Sequence, residues 1–410
     1  MHNNIVNICF RTAFSIYSII LKLANRYKSK RIFPGNEPVE ILITGTFSSD
    51  NWIISLLRPL ALSSRCGCIR IVSIVPVPII EKVEPVYPHK LLIKLTGDTA
   101  ARLITFFWIG ICTRPHIIGG LHLLLNGLTA ILLAKLTGSR SLYNCCGGPT
   151  ECMGGGFASN TRLFCKLNGP DLIIEQFLLE AINAADLVVT RGKVAVNYFL
   201  EHGISTRINI IPGGMDGDLF SPSNDPSEYD LIFIGRLVPM KRIDIFLQIV
   251  KKLHAGQPSI KAIILGDGPL RNSLETMADD LGLKGVVHFA GHQNNVAYWL
   301  RKAKIFVLTS ESEGLSQSMI QAMLCGLPAV VSHVGEAGEL VQDGINGFLI
   351  HKLDVDIFVN KIFQLLCDKV MLTNFSQAAR RSAERCDMFK IALKWDEVLD
   401  KFTFNEGPNY

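Results

Sequence analysis

The sequence predicts an α/β protein with two domains, each built on a parallel sheet. The chain has 410 residues, which is long enough for two domains with their own cores. Short apolar runs, such as residues 305–308, have the composition of strands that a parallel sheet buries on both faces. Several of these runs lead into a glycine-containing loop and then into a helical pattern. This order of elements is typical of parallel α/β domains.

The first domain is predicted to open with a strand at residues 39–43, which ends at a loop containing Gly45. A second strand is predicted at residues 69–75, and Pro76 closes it. The last strand of this domain is predicted within residues 184–190. A Ser-, Pro- and Asp-rich segment at residues 221–228 then marks the predicted boundary with the second domain.

The most informative segment of the second domain follows the strand at residues 305–308. Ser316 is a plausible N-cap for the next helix, because its hydroxyl can accept a free amide of the first turn. The amides of Gly314, Leu315 and Ser316 would then form a phosphate site at the positive helix end. Glu313 precedes them and can bind a hydroxylated group attached to that phosphate. Alternatively, Glu313 is only an acidic residue in a loop, and Gln321, eight residues later, is only an amide on the helix surface.

This segment resembles the family 4 glycosyltransferases. That family consists of retaining enzymes in which two Rossmann-like domains face a cleft, the GT-B fold. Its signature is a Glu, seven residues and a second Glu, followed by Ala-Met-x-x-Gly-x-Pro and, further on, Asp-Gly-x-Asn-Gly. Gln321 replaces the second Glu. The matching residues here are Glu313, Gly314, Ala322, Met323, Gly326, Pro328, Asp343, Gly344, Asn346 and Gly347.

The resemblance implies donor-binding roles in the second domain. It implies that Glu313 contacts the donor sugar and that Gln321, which keeps an acceptor oxygen but brings no charge, bonds the nucleotide ribose. It also implies that Arg236 and Lys241, which follow a predicted strand, bind the donor diphosphate. Fixed cations there stabilise the charge that develops on the leaving group. Gly266 begins a turn that either lies near the nucleotide or only joins a strand to a helix.

The resemblance also implies roles in the first domain. Gly45 lies where the family has a glycine-rich loop that contacts the donor. His122 lies where family members often have a histidine near the reacting centre, although a structural histidine is an equal alternative. Gly147, Gly148 and Glu151 match a Gly-Gly-Pro-Thr-Glu segment that is close to the acceptor in related proteins. Glu151 can contact an acceptor hydroxyl, or it is solvated and the glycines only serve a tight turn.

The charge of the chain is concentrated at its N-terminus. Residues 1–36 contain six cations and no acid, so the net charge of +5 leaves the rest of the chain near −1. A nucleic-acid-binding footprint over the body is therefore not expected. No run reaches about 18 uninterrupted apolar residues, which is the length expected of a membrane-spanning helix.

The N-terminal segment has the pattern of an amphipathic helix. Isoleucine and phenylalanine side chains surround a narrow polar and cationic stripe, whose members are Arg11, Ser15, Ser18, Lys22 and Arg26. Such a helix can lie in the interface of an anionic membrane. The alternative is a helix that packs on its own domain. A signal peptide is disfavoured, because charges interrupt the apolar stretch and no cleavage site stands out.

The eleven cysteines show no Cys-x-x-Cys pair and no other metal-ligand spacing, so no metal site is predicted. Most of them are expected to be small core residues of a protein in a reducing compartment. The expected location is therefore the cytoplasm, at the periphery of a membrane.

Four segments are predicted: a cationic helix at 1–36, an acceptor-side domain at 37–222, a nucleotide-sugar domain at 223–385, and a last helix at 386–410 that returns to the first domain. The predicted reaction moves a sugar from a nucleoside-diphosphate sugar to a glycan or lipid-linked acceptor with retention, without a metal or cofactor. The alternative is a catalytically silent nucleotide-sugar-binding subunit. A dinucleotide-dependent oxidoreductase is disfavoured, because no Gly-x-Gly-x-x-Gly follows a strand with an acid about 20 residues on.

Overall fold

The structure, a computed structural model, describes residues 2–26, 37–47, 49–157, 159, 164–223 and 225–403. The strands are β1 Val39–Thr44, β2 Cys66–Val72, β3 Val83–Val86, β4 Ile117–Leu121, β5 Arg140–Asn144, β6 Leu187–Thr190, β7 Ile208–Ile210, β8 Tyr229–Ile234, β9 Ala262–Leu265, β10 Val287–Gly291, β11 Ala303–Leu308, β12 Ala329–Ser332 and β13 Gly347–Ile350. The α-helices are α1 His2–Arg26, α2 Asp50–Leu62, α3 Lys90–Thr96, α4 Asp98–Thr113, α5 Leu128–Thr137, α6 Leu172–Asn183, α7 Lys193–Glu201, α8 Ile243–Gly256, α9 Arg271–Asp280, α10 Val296–Arg301, α11 Gln317–Leu324, α12 Val355–Cys367, α13 Lys369–Ala383 and α14 Met388–Thr403.

The chain divides into two compact units. The first unit contains Met1–Gly214 together with Met388–Tyr410, and the second contains Met215–Asp387. The division therefore falls eight residues before the predicted boundary at 222/223 and places α1 and α14 in the first unit.

Both units carry a parallel sheet, which confirms the predicted fold class. The first sheet has the order β3-β2-β1-β4-β5-β6-β7, and the second has the order β10-β9-β8-β11-β12-β13. Each order reverses between two central strands, β1 and β4 in the first unit and β8 and β11 in the second. Loops at the carboxyl ends of such a pair diverge and leave a crevice that binds ligands in this class of fold.

The N-terminal helix corrects one part of the membrane prediction. Two cations of its polar stripe contact acids of the same unit. Arg11 forms an ion pair with Asp171 at 3.0 Å, and Lys22 approaches Glu180 to 4.0 Å. The helix packs on α5 and α6 of its own unit. The alternative interpretation, a helix that packs on its own domain, is therefore correct for the side of α1 that contacts α5 and α6. The opposite side of α1 is exposed.

Candidate functional site

An ion pair between Lys241 and Glu313 joins the two central strands of the second unit. Lys241 lies in the turn after β8, and its ammonium donates to Oε1 of Glu313 in the loop after β11. Ser310 Oγ donates to the same oxygen at 2.7 Å. The Lys241 and Glu313 side chains are only 15% and 13% exposed. The structure thus brings together two residues that sequence reasoning placed in one donor site.

The backbone on both sides of this pair is fixed by hydroxyl groups. Thr309 Oγ1 bonds to the carbonyl oxygens of Lys241 at 3.1 Å and Arg242 at 2.9 Å. Ser332 Oγ at the end of β12 donates to the carbonyl of Ser310 at 2.6 Å. These contacts hold the two charged side chains in place before any ligand binds, which is the preorganisation that electrostatic catalysis requires.

A close backbone approach also shapes the Glu313 loop. Gly335 has a φ of +55°, and a Cβ atom built on it would lie 2.0 Å from the carbonyl oxygen of Glu313. The Glu336 amide donates to the Gly314 carbonyl at 3.0 Å, which completes this contact. Only glycine fits such a position without moving the loop.

We expect Gly335→Ala to lower the free energy of unfolding by about 2 kcal/mol or more, because a backbone shift must relieve the clash. Gly344→Ala is the matched control, since Gly344 also has a positive φ of 74° but open space around the missing Cβ. That control should cost about 1 kcal/mol. Chemical denaturation of both variants measures the difference, and equal losses would contradict the role given to the Glu313 contact.

The helix after Glu313 begins as predicted. Ser316 is the N-cap of α11, and its hydroxyl accepts the Met319 amide at 3.4 Å. Leu315 and Ser316 are 9% and 8% exposed, whereas Gly314 is partly exposed. Phosphate binding by the amides of Gly314, Leu315 and Ser316 stays a prediction.

Arg236 and Gly266 lie on two loops that are tied together. The Leu237 amide donates to the carbonyl of Asp267 at 2.9 Å, and a Cβ on Gly266 would lie 1.9 Å from the Gly235 carbonyl oxygen. The glycine is thus required by the neighbouring loop, whether or not a nucleotide contacts it. Arg236 is exposed beside this contact, and its diphosphate role stays a prediction.

Gln321 is not the helix-surface amide that one interpretation of the sequence gave. It is 5% exposed, and its Nε2 lies 3.8 Å from Met215 Sδ. A thioether is a weak acceptor, so this contact leaves most of the hydrogen-bonding capacity of the amide unused. Its predicted bond to a ribose hydroxyl stays a prediction.

The first unit brings His122 and Glu151 together at the carboxyl end of β4. His122 has a φ of 62°, which is uncommon for a residue other than glycine, and its Nδ1 lies 2.9 Å from Oε1 of Glu151. The Trp52 ring stacks on the imidazole with centroids 5.6 Å apart. The side chain of His122 is 35% exposed.

Glu151 is buried, so the interpretation that it is a solvated acid is wrong, while its contact with an acceptor stays a prediction. It is 5% exposed, and its carboxylate also accepts four further hydrogen bonds. Their donors are the Leu123 amide at 2.6 Å, the Tyr143 hydroxyl at 2.9 Å, the Cys146 amide at 3.0 Å and the Gly147 amide at 2.5 Å. Glu151 therefore ties His122 to the loop that contains Cys146 and Gly147.

This environment favours the charged forms of both groups. Burial alone would lower the pKa of His122, but the neighbouring Glu151 carboxylate and Cys146 together outweigh it and raise this pKa to about 9. Burial alone would raise the pKa of Glu151, but His122 and the backbone amides of Gly147 and Leu123 hold it below its usual value. His122 is thus an imidazolium at neutral pH, and its free nitrogen is a hydrogen-bond donor.

Two buried arginines near this histidine were missed by sequence reasoning. Arg102 donates to Thr44 Oγ1 at 2.6 Å and to Asn126 Oδ1 at 2.8 Å, next to the loop of Gly45. Arg191 donates to the side chain of Asn144 at 2.6 Å. No local pattern marks either residue, because their partners lie 20 to 58 residues away in the chain.

Gly45 is buried, and a Cβ on it would lie 2.9 Å from the side chain of Leu121. Contact of its loop with a donor stays a prediction. Within the described parts of the chain, no group of three or more His, Cys, Asp or Glu side chains could hold a metal ion.

Two parallel-sheet units with charged side chains at their strand ends define a class of two-domain, Rossmann-like proteins. Residues 217–382, which span most of the second unit, match the family described as "Glycosyl transferases group 1". The resemblance stated from the sequence is confirmed by this match.

Among curated relatives, the chain is 29% identical over 211 residues to UDP-Gal:alpha-D-GlcNAc-diphosphoundecaprenol alpha-1,3-galactosyltransferase of Escherichia coli, covering 48% of this chain and 54% of that protein. It is 31% identical over 173 residues to N-acetyl-alpha-D-glucosaminyl L-malate synthase of Bacillus anthracis, covering 42% and 45%. The chain thus spans about half the length of these relatives.

Solved structures show the same fold at low identity. The Anabaena protein HepE, solved in complex with UDP, has a TM-score of 0.66 at 19% identity and covers 88% of this chain and all of its own. Sucrose-phosphate synthase from Thermosynechococcus elongatus has a TM-score of 0.71 at 16% identity and covers 88% and 98%.

Proposed function

We propose that this protein is a retaining glycosyltransferase, which moves a sugar from a nucleoside-diphosphate sugar to an acceptor hydroxyl. The observation that carries the proposal is the Lys241–Glu313 pair, held between the carboxyl ends of β8 and β11 just ahead of the α11 N-terminus. A cation and a positive helix end at one strand edge suit the diphosphate of such a donor, and the carboxylate between them suits its sugar hydroxyls.

In the proposed step, the bond between the sugar C1 and the diphosphate oxygen breaks while the acceptor oxygen bonds to C1. The diphosphate gains negative charge, and its departing oxygen, on the same face of the sugar as the acceptor, takes up the proton that the acceptor hydroxyl releases. Lys241, Arg236 and the α11 amides stabilise the diphosphate, which lowers the barrier because the charge is greater in the transition state. Glu313 binds the sugar hydroxyls and keeps the Lys241 ammonium oriented toward the diphosphate.

His122 has a separate role in this proposal. Its imidazolium, charged because of Glu151, donates a hydrogen bond from the edge of the first sheet to the acceptor. Gly147 and Gly148 belong to the same loop and form its acceptor-proximal part. The proposal needs no metal or cofactor, since fixed cations take the place of a metal.

The acceptor class in this proposal is a glycan or a lipid-linked sugar. Support comes from the names of the relatives, one of which is a galactosyltransferase that acts on a diphosphoundecaprenol-linked sugar. UDP is the first donor nucleotide to test, because it is named both in that relative and in the complex of the Anabaena structure.

The second candidate is a nucleotide-sugar-binding subunit without catalysis. It is favoured by Gln321, which stands at a signature position without the charge of glutamate. The two candidates share donor binding and differ in turnover.

A panel of UDP-, GDP- and ADP-sugars tests the proposal by thermal stabilisation and by release of the nucleoside diphosphate. A donor at 100 times its Kd should raise stability by about 2.7 kcal/mol. Glu313→Gln is the matched control, which should weaken both signals. Stabilisation without release, with or without glycan acceptors, would favour the silent subunit, and no stabilisation by any donor would refute both candidates.

We expect Gln321→Glu to lower the Tm of the unliganded protein, because the new carboxylate is buried beside the Met215 thioether without a cation. The same variant should gain more stability from donor than the wild type does, since a ribose hydroxyl would satisfy the carboxylate. Thermal melts with and without the stabilising nucleotide sugar measure both effects. An unchanged donor shift would argue against a ribose contact at this position.

A further inference from the structure

The outward side of α1 is apolar along its described length. Ile8, Ile16, Ile19, Ile20 and Leu23 are 42–57% exposed, and they recur at the three- and four-residue spacing of one helix side. A helix on the surface of a soluble protein normally shows polar residues on this side. The exposed side chains of α1 therefore need an explanation other than packing in their own domain.

The opposite side of the same helix is already used by the first unit. Phe14, Leu21 and Ala24 are buried in the core that α5 and α6 share. Arg11 pairs with Asp171 of α6's N-terminus. By length and composition alone, residues Val6–Arg26 could cross a membrane. Packing along one whole side shows instead that α1 lies flat on its domain.

A second helix extends this surface. Ile104, Trp108 and Ile111 of α4 are 47%, 66% and 47% exposed, again on one helix side. Helix α5 contacts both α4 and α1, and Leu136 of α5 is 52% exposed between them. We call the exposed residues of α1 and α4, with Leu136, the outer apolar face. Tryptophan on such a face is typical of a membrane–water interface.

The charges of the described residues near the outer apolar face are mainly positive. Lys22 and Arg26 are exposed at the end of α1, whereas the exposed acids are Glu180, which Lys22 approaches, and Asp98 in the first turn of α4. On the other border, α3 contacts α4 and carries two exposed lysines, Lys90 and Lys94. A second copy of the chain that used the same face would bring these cations together, so an anionic partner fits better.

We propose that the outer apolar face binds the surface of an anionic lipid bilayer, with α1 lying in the interface and the bordering lysines and arginines contacting the headgroups. Apolar side chains supply the contact area, and the cations supply the preference for anionic lipid. This proposal is independent of glycosyl transfer, since its test measures lipid binding and not turnover.

The test uses the full chain and vesicles of phosphatidylcholine, with and without about 30% phosphatidylglycerol. The variant Ile16→Ser/Ile19→Ser/Leu23→Ser changes three exposed residues, so circular dichroism and the Tm should remain those of the wild type. The matched control is Leu393→Ser/Val370→Ser, because Leu393 and Val370 are 63% and 70% exposed on α14 and α13.

We expect the wild type and the control to sediment with anionic vesicles, and the triple variant to lose at least tenfold in apparent lipid affinity. High salt should weaken wild-type binding without abolishing it, because the apolar contact is not screened.

Three results would overturn the proposal. The first is wild-type protein that stays in the supernatant, or a triple variant that binds like the wild type. The second is a wild-type dimer that the triple variant loses, which would assign the face to a second copy. The third is membrane-bound protein that alkaline carbonate does not release, which would make α1 a membrane span.

Discussion

Lys241→Met is expected to lower turnover at saturating donor by about two orders of magnitude, the range found when one fixed donor to a transition-state oxyanion is removed. Methionine keeps the length of the side chain and removes its charge. The structure adds a second reason for a large effect. Lys241 also neutralises Glu313. The Glu313 side chain is only 13% exposed, so without its cation it would be a mostly buried, unpaired charge. Donor turnover by the variant, measured as released nucleoside diphosphate, checks this expectation.

A control and a double variant separate the two reasons. Lys252→Met removes a half-exposed lysine of the same unit, which pairs with Asp356, and should leave turnover unchanged. Lys241→Met/Glu313→Gln should be no slower than the worse single variant, because residues that act as one unit are not additive. Additive losses, or near-normal kinetics in Lys241→Met, would remove the pair from the mechanism.

The elements of the second unit were predictable because their signals are local. An apolar run followed by a serine cap identifies β11 and α11, and the N-cap at Ser316 was found within the residues that form it. The placing of Lys241 and Glu313 in one site was implied by the family resemblance. The structure gives the physical reason for their contact, since both residues lie in loops that follow strands β8 and β11, which are neighbours in the sheet.

The first unit was less predictable because its site depends on distant partners. Glu151 is buried by the loop after β4, and Trp52 reaches His122 from α2, 70 residues earlier. The cations of α1 were assigned to a membrane because their partner acids on α6 lie about 160 residues later in the chain. Only the folded chain shows that Phe14, Leu21 and Ala24 face the domain, that Arg11 and Lys22 contact its acids from the flank of α1, and that the other apolar side chains face outward.

Glu151→Gln is expected to reduce turnover about thirtyfold at pH 8 while leaving it nearly unchanged at pH 6. In the wild type the Glu151 charge raises the pKa of His122 to about 9, so the imidazolium persists through neutral pH. Without that charge the pKa should return to about 6.5 or lower, and only about 3% of the imidazole would be protonated at pH 8. The alkaline limb of the pH–rate profile should therefore move from near pH 9 to below 7.

The raised pKa of His122 also makes the stability of the protein depend on pH. Because the folded-state pKa of His122 is raised, its pairing with Glu151 stabilises the protein fully below about pH 6.5 and progressively less as pH rises through about 9. The variant should lose this dependence in denaturation measured across that window. Since Glu151 also holds four other groups, His122→Asn serves as a second probe that leaves them in place, and asparagine tolerates the positive φ. It should abolish the alkaline limb altogether, whereas an unchanged limb in His122→Asn would mean that another group titrates and that Glu151 only supports the loop.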